Sequence, residues 1–394
     1  MKIAIAGAGI SGPTLAFWLS RYGHQTTLIE KAPRLRTGGY VVDFWGGGYS
    51  VAERMGLTAQ LHAAGYAVQE VRLVDRNSHR VGGFSAALFR RNLDGRFVTI
   101  ARGDLAAMIY RRIDRRVETL FGESISAVTQ DDSGVEVALE HGESRQFDLL
   151  VGAGGIHSPV RHLVFGPESE FVNDLGYRVA AFEADGYQPR DEHVYLAYTM
   201  PGRMVARFAM RDEKTLFLFV FTSDRIGCTD PQDVSQVKTA LHQVFGDAGW
   251  ECPEILRSLD GASDVYFDRA SQITMDHWSN GRVALIGDAA AAVSLLAGEG
   301  AGLAMVQAYI LAGELHRAGA DHQDAFRRYE RQLRPVVEAR QRSARGFATT
   351  FAPKTAPGVW ARNQASKLLN IPRLAEWVIR SEFRDDIALP EYVA

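Results

Sequence analysis

Six residues near the amino terminus carry the first chemical signal: Gly7-Ala8-Gly9-Ile10-Ser11-Gly12. Glycine is required where a chain turns tightly, where backbone approaches a pyrophosphate, and where a helix packs on a strand. The helix that follows presents free N–H groups to an anion. Lys2 to Ala6 reads as a buried parallel strand before the turn, Thr14 to Tyr22 as the helix, and Gln25 to Glu30 as a second strand. Glu30 then ends that strand with a carboxylate that can accept ribose hydroxyls, with Lys31 beside it. Strand, turn, helix, strand and acid in this order predict a dinucleotide site at Gly7, Gly9, Ile10, Ser11, Gly12, Glu30 and Lys31.

A second constellation lies far downstream. Arg282-Val283-Ala284-Leu285-Ile286-Gly287-Asp288 is a strand ending in Gly-Asp, and Ala297-Gly298-Glu299-Gly300-Ala301-Gly302 opens an apolar helix. This pair resembles the second FAD signature of the para-hydroxybenzoate-hydroxylase-like (class A) FAD-dependent monooxygenases. Ala101-Arg102-Gly103-Asp104-Leu105 resembles that family's Arg-x-x-Leu segment. Gly38-Gly39-Tyr40-Val41-Val42-Asp43-Phe44 and Ala308 to Leu315 look like segments of its tetracycline-inactivating branch. The resemblance covers nearly the whole chain. It implies non-covalent FAD, with Asp288 at the ribityl and pyrophosphate region, Arg102 reaching the cofactor and Asp43 touching the ring or ribityl chain. Gly298, Gly300 and Ala301 would face the pyrimidine edge of the flavin, where a helix N-terminus stabilises the charge of the reduced ring.

The same resemblance implies an activity. A reduced nicotinamide, NADH or NADPH, would reduce FAD. Oxygen would then form a flavin C4a-hydroperoxide that hydroxylates a bulky phenol or enol, aromatic or polycyclic. Arg203, after Pro201-Gly202, resembles a substrate-contacting Arg of the branch. Phe217, Phe219 and Phe221 fall on one strand face and are candidates for the pocket wall. No catalytic base is identified. His157 and His193 stand alone, as packed or surface histidines usually do.

Two departures from the family matter. Its Gly-Ala-Asp-Gly motif reads Gly152-Ala153-Gly154-Gly155 here, so Gly154 replaces the acid. Its His and Pro after Gly-Asp are absent, with Ala291, Ser294 and Leu295 in that stretch. They keep two alternatives open: a flavin oxidase, dehydrogenase or reductase on the same fold, and a non-catalytic FAD- or drug-binding protein. A flavin halogenase is disfavoured, because the six tryptophans are scattered rather than gathered in a Trp-x-Trp motif.

The elements that must position these residues suggest an α/β protein, α+β overall, with a discontinuous Rossmann-like FAD domain. That domain is expected at 1–75, 95–170 and 270–322. A mainly antiparallel substrate domain is expected at 76–94 and 171–269. There, Met204 to Met210 and Thr215 to Phe221 flank a turn, Arg211 to Lys214. A helical segment is expected from 323 to 394. Phe44 to Ser50 reads as a glycine-rich turn and Val51 to Ala64 as one helix.

Composition narrows the class further. The 394 residues are 46% hydrophobic and 23% charged, with net charge −3, as in globular proteins that do not bind nucleic acid. Arg327, Arg328, Arg331 and Arg334 alternate with Glu330 as a solvated helix face. Cys228 and Cys252 cannot form a zinc site alone and are expected as reduced thiols in the cytosol. Gly7, Gly9, Gly12 and Pro13 argue against a signal peptide over the apolar start, and no stretch reads as a membrane span. The expected partners are a small-molecule substrate and O2, with no metal; a monomer is plausible.

Overall fold

The computed structural model describes residues 1–35, 40–87, 91, 93, 95–113, 115–227, 230–376 and 387–392. Gly38, Gly39 and Cys228 lie outside the described residues. The chain opens with β1 (Lys2–Ala6), α1 (Ser11–Arg21), β2 (Gln25–Glu30), β3 (Val41–Trp45), α2 (Gly46–Arg54) and α3 (Thr58–Ala64). It continues with β4 (Glu70–Val74), β5 (Arg80–Ser85), β6 (Phe97–Ala101), α4 (Arg102–Tyr110), β7 (Glu118–Phe121), β8 (Ile125–Gln130), β9 (Val135–Leu139), β10 (Arg145–Phe147), β11 (Leu149–Gly152) and α5 (Pro159–Phe165). β12 (Val172–Asp185), β13 (Val194–Met200), β14 (Arg203–Ala209) and β15 (Lys214–Thr222) follow, then α6 (Val234–Phe245), α7 (Cys252–Gly261) and β16 (Tyr266–Ile273). The chain then runs through β17 (Ser279–Asn280), β18 (Val283–Leu285), α8 (Asp288–Ala291), α9 (Gly300–Ala318), α10 (His322–Phe351) and α11 (Ala356–Leu368).

Two large sheets carry the architecture. The first has the order β17-β18-β11-β1-β2-β7, with its inner strands parallel. Its central strands are buried between helices and the three-stranded antiparallel sheet β10-β9-β8, so Ile3, Leu149 and Leu285 are all at 0% exposure. The second has the order β16-β12-β15-β14-β13-β4-β5 and is antiparallel except where β13 pairs parallel with β4. One face of it is closed by α6 and α7. The other packs against Leu295 and Leu296, just after the Gly-Asp motif, and against Phe351 and Ala352 at the end of α10.

Several sequence expectations need correction. Glu70–Val74 belongs to the second sheet, not to the FAD-binding part, because it pairs with both β13 and β5. β16 likewise stays in that sheet as far as Ile273. Gly46 to Ser50 is the first turns of α2 rather than a loop. The helix expected over 51–64 is two helices, because Gly56 adopts φ 70°, where glycine alone is unstrained.

Candidate FAD site

The glycine loop is built by crowding on one side and openness on the other. Gly7 has φ 116°, and a Cβ there would lie 2.5 Å from the Ala153 carbonyl oxygen, just past the end of the neighbouring parallel strand β11. A Cβ on Gly12 would lie 1.9 Å from the Gly7 oxygen, so α1 can meet β1 this closely only through glycine. Gly9 differs: its Cβ would meet only the Arg102 guanidinium, at 3.9 Å. Ile10 and Ser11 are buried beneath the loop. Glu30 is already engaged in shaping it, accepting from the Ala8 N–H at 2.8 Å and the Ala32 N–H at 2.9 Å. Lys31 is exposed just beyond.

The second motif folds onto the first. Gly287, at φ 63°, sits where a Cβ would reach Ser11 Oγ at 2.9 Å. Its N–H donates to Gln307 Oε1 at 2.8 Å, and Tyr329 Oη lies within hydrogen-bonding distance of both Gln307 Oε1 and the Leu285 oxygen. Gln307 was not singled out in the sequence. Its signal is a lone amide in the run Met305 to Leu311, where a buried polar group needs partners. Gln272 and Gln341 were missed too. Their amides donate to Val293, Gln341, Ile273 and Ala292 carbonyls, clamping the loop that carries Ala291 and Ser294.

Asp288 lies at the junction. It keeps accessible surface, yet protein surrounds it closely enough that burial raises its pKa, with Arg102 partly opposing and Asp268 reinforcing the rise. That combination describes a group on the wall of a deep cleft. No described residue donates a hydrogen bond to it. Gly300 faces it, with a Cβ position 3.7 Å from Asp288 Oδ1. Gly298 is left-handed (φ 71°), and a Cβ there would touch nothing. Gly298, Gly300 and Ala301 are all partly accessible at the start of α9. The start of α2 meets α9 here, since a Cβ on Gly48 would come within 2.4 Å of Gly302 Cα. Two helix N-termini therefore converge, and both favour negative charge.

Tyr40 and Tyr266 meet nearby with tilted rings, their centroids 5.4 Å apart, and burial raises the Tyr40 pKa to about 12. The Asp43 carboxyl is raised by burial and held by Thr99, whose hydroxyl donates at 2.5 Å, and by Tyr195 from the second sheet. Asp43 therefore ties β3 to β6 and β13. Gly154 is exposed on the loop after β11, where a Cβ would press on Pro159 Cδ at 3.2 Å.

The expected substrate residues fall elsewhere. Phe217, Phe219 and Phe221 are at 0–1% exposure on the face covered by α6 and α7, with Phe182 5.0 Å from Phe217 and Phe245 5.0 Å from Phe219. They are core between sheet and helices, not pocket wall. Arg203 points to the same side, donating to the Val244 carbonyl and pairing with Asp247. The strand alternation was legible; which face meets the cofactor was not. His157 is half exposed between Glu168 and Asp268, and the Asp268 hydrogen bond raises its pKa, with burial opposing. His193 adopts φ 64° beside the start of β13, and its carbonyl accepts from the Gln69 N–H at 2.8 Å.

These residues fit FAD. Gly9 and Gly298 leave side-chain space open, Asp288 offers an accessible carboxylate without a donor among the described residues, and Arg102 has no described carboxylate partner within ion-pair distance. A glycine-lined helix start beside a cation suits a pyrophosphate, and a carboxylate suits sugar hydroxyls. Residues 1–344 match the FAD binding domain family, and the chain belongs to it. Fold and relatives together define an FAD-dependent monooxygenase of the class A, para-hydroxybenzoate-hydroxylase-like group. A flavin-dependent monooxygenase from an unknown prokaryotic organism is 36% identical over 348 residues, 86% of this chain and 87% of its own. One from Legionella longbeachae is 33% identical over 355 residues, 90% of each chain. The crystal structure of tetracycline destructase Tet(55) superposes with a TM-score of 0.84 at 32% identity, covering 99% of this chain and 98% of that one. No described helix is long and apolar enough to cross a membrane, and no cluster of metal-ligating side chains occurs among the described residues.

Proposed function

We propose that this enzyme hydroxylates a bulky polycyclic phenol or enol, of the size and chemistry of a tetracycline, with O2 and reduced nicotinamide as co-substrates. One observation carries the substrate class. The cofactor-side face of the second sheet offers the partly accessible Ala206 and Leu218 among Ala197, Met204, Val220 and Tyr177, and it meets Leu295 and Leu296. Small side chains leave room for a wide ring system, and an apolar wall keeps water from it.

When bound, FAD supplies the redox and oxygen chemistry, and the chain supplies position and electrostatics. Gly9 admits the pyrophosphate to the start of α1 while Arg102 offsets its charge. Asp288 accepts hydroxyl groups of the cofactor chain. Gly298 to Ala301 present the α9 N-terminus to the ring edge that gains charge on reduction. Asp43, held by Thr99 and Tyr195, fixes β3 alongside.

The test is oxygen uptake by the FAD-loaded protein with NADH or NADPH, with and without tetracyclines and polycyclic phenols, followed by product mass. A product heavier by one oxygen atom supports the reading. A product lighter by two hydrogens would instead support an oxidase or dehydrogenase on this fold, and release of FAD only after denaturation without proteolysis establishes non-covalent binding.

A further inference from the structure

Five large hydrophobic side chains are exposed among the described residues, and four lie in one short stretch: Trp360 at 66%, Leu368 at 52%, Ile371 at 46% and Leu374 at 40%. Trp360, Gln364, Lys367 and Leu368 share one face of α11 by the 3.6-residue period, and Ile371 and Leu374 extend it through the next turn. The opposite face is spent on the second sheet. Ser366 Oγ accepts from the Gly83 N–H at 2.8 Å, and Asn370 donates to the Gly83 carbonyl at 2.9 Å and accepts from the Ser85 N–H at 3.1 Å. A Cβ on Gly82 would sit 2.6 Å from Ser366 Oγ, so the helix is seated closely and cannot roll its apolar stripe inward.

The stretch that carries the stripe is positively charged, with the exposed Glu376 following directly after it. From Ala352 to Ala375 the chain has no Asp or Glu, although the whole protein carries a net −3. Lys354, Lys367 and Arg373 are exposed there and pair with no carboxylate among the described residues. Tryptophan and aliphatic side chains flanked by cations are the composition of a helix lying in a lipid interface. A second copy of the chain fits less well. A two-fold contact centred on the stripe would bring the cations of both copies into one interface, with only Glu376 at its end to offset them.

We propose that α11 and the turn after it dock the enzyme on an anionic lipid surface, such as a bilayer containing phosphatidylglycerol. Trp360, Leu368, Ile371 and Leu374 enter the headgroup–acyl boundary, while Lys354, Lys367 and Arg373 meet the lipid phosphates. The inner face of α11 keeps its hold on β5, so the second sheet lies just beneath the lipid.

Flotation of the FAD-loaded protein with phosphatidylcholine vesicles, with and without phosphatidylglycerol, tests this. The protein should float with the anionic vesicles at low salt and much less with the neutral ones. Binding should weaken about fivefold for each cation removed, as with Lys354→Ala and Lys367→Ala. The Trp360→Ser/Leu368→Ser variant should lose flotation while retaining FAD, because both side chains are exposed and neither is among the cofactor residues. Wild-type protein that does not float with anionic vesicles overturns the proposal. So does flotation unchanged by the double substitution, or a wild-type dimer in sedimentation that the same substitution dissociates.

Discussion

Gly9 and Gly12 belong to one motif, yet the structure gives them separable duties. Gly12 is a packing residue, and Gly12→Ala should cost about 1–3 kcal/mol through overpacking even in the FAD-free protein. Gly9 faces open space, so Gly9→Ala should leave FAD-free thermal stability nearly unchanged but weaken FAD binding about tenfold or more. Thermal melts and flavin titrations of both variants check this; a Gly9→Ala protein with wild-type FAD affinity would remove the loop from the cofactor. Asp288 and Glu30 differ in a parallel way. Asp288→Ala should raise the FAD dissociation constant more than Glu30→Ala, because a charged hydrogen bond in a protein-surrounded setting contributes about 1.5–3 kcal/mol. Glu30→Ala should in addition lower the melting temperature without FAD, since its carboxylate holds the Ala8 and Ala32 N–H groups. Both motifs could be read in the sequence because glycine and carboxylate requirements are local. Gln272, Gln307 and Gln341 could not, since each acts on backbone far away in the chain.

At the level of elements, β1 and β2 were legible to the residue as strands, while α1 begins at Ser11, three residues before the expected Thr14, because the turn's last residues already belong to the helix. β12 was not read as the long strand it is. Its fourteen residues pair along one side with β15 and along the other with β16, and that partnership is invisible locally. The β15 aromatic row shows the same limit: period two reveals two faces but not which one meets α6 and α7. Phe219, between Phe182 and Phe245, should therefore behave as core. Phe219→Ala should lose about 3–5 kcal/mol of stability to the cavity it leaves. The KM of the folded fraction should stay within about twofold of wild type. Denaturant unfolding and steady-state kinetics separate these outcomes, and a large KM change at full stability would return Phe219 to the pocket.

Across the whole molecule, His157 is one of the polar contacts that join the two sheets. It reaches from the loop after β11 to Asp268 on β16, and to Glu168. Its folded pKa is raised, so its contribution is complete below the unfolded value of about 6.5 and is lost as pH climbs through the folded value. The melting-temperature difference between wild type and His157→Gln should thus be widest between about pH 5 and 6 and shrink toward pH 9. A gap that widens with pH would mean the imidazole is neutral in the fold. The sheet order has a consequence of another kind, in time rather than space. β1 and β2 emerge early, but β18 and the Gly287–Asp288 turn are made only after the entire second sheet has been synthesised. At about 5–20 residues per second, the nascent amino-terminal half waits on the order of ten seconds or more with its cofactor cleft half-built. During that wait the β11 edge that β18 will cover must be shielded from wrong partners, and FAD can capture the chain only near the end of translation.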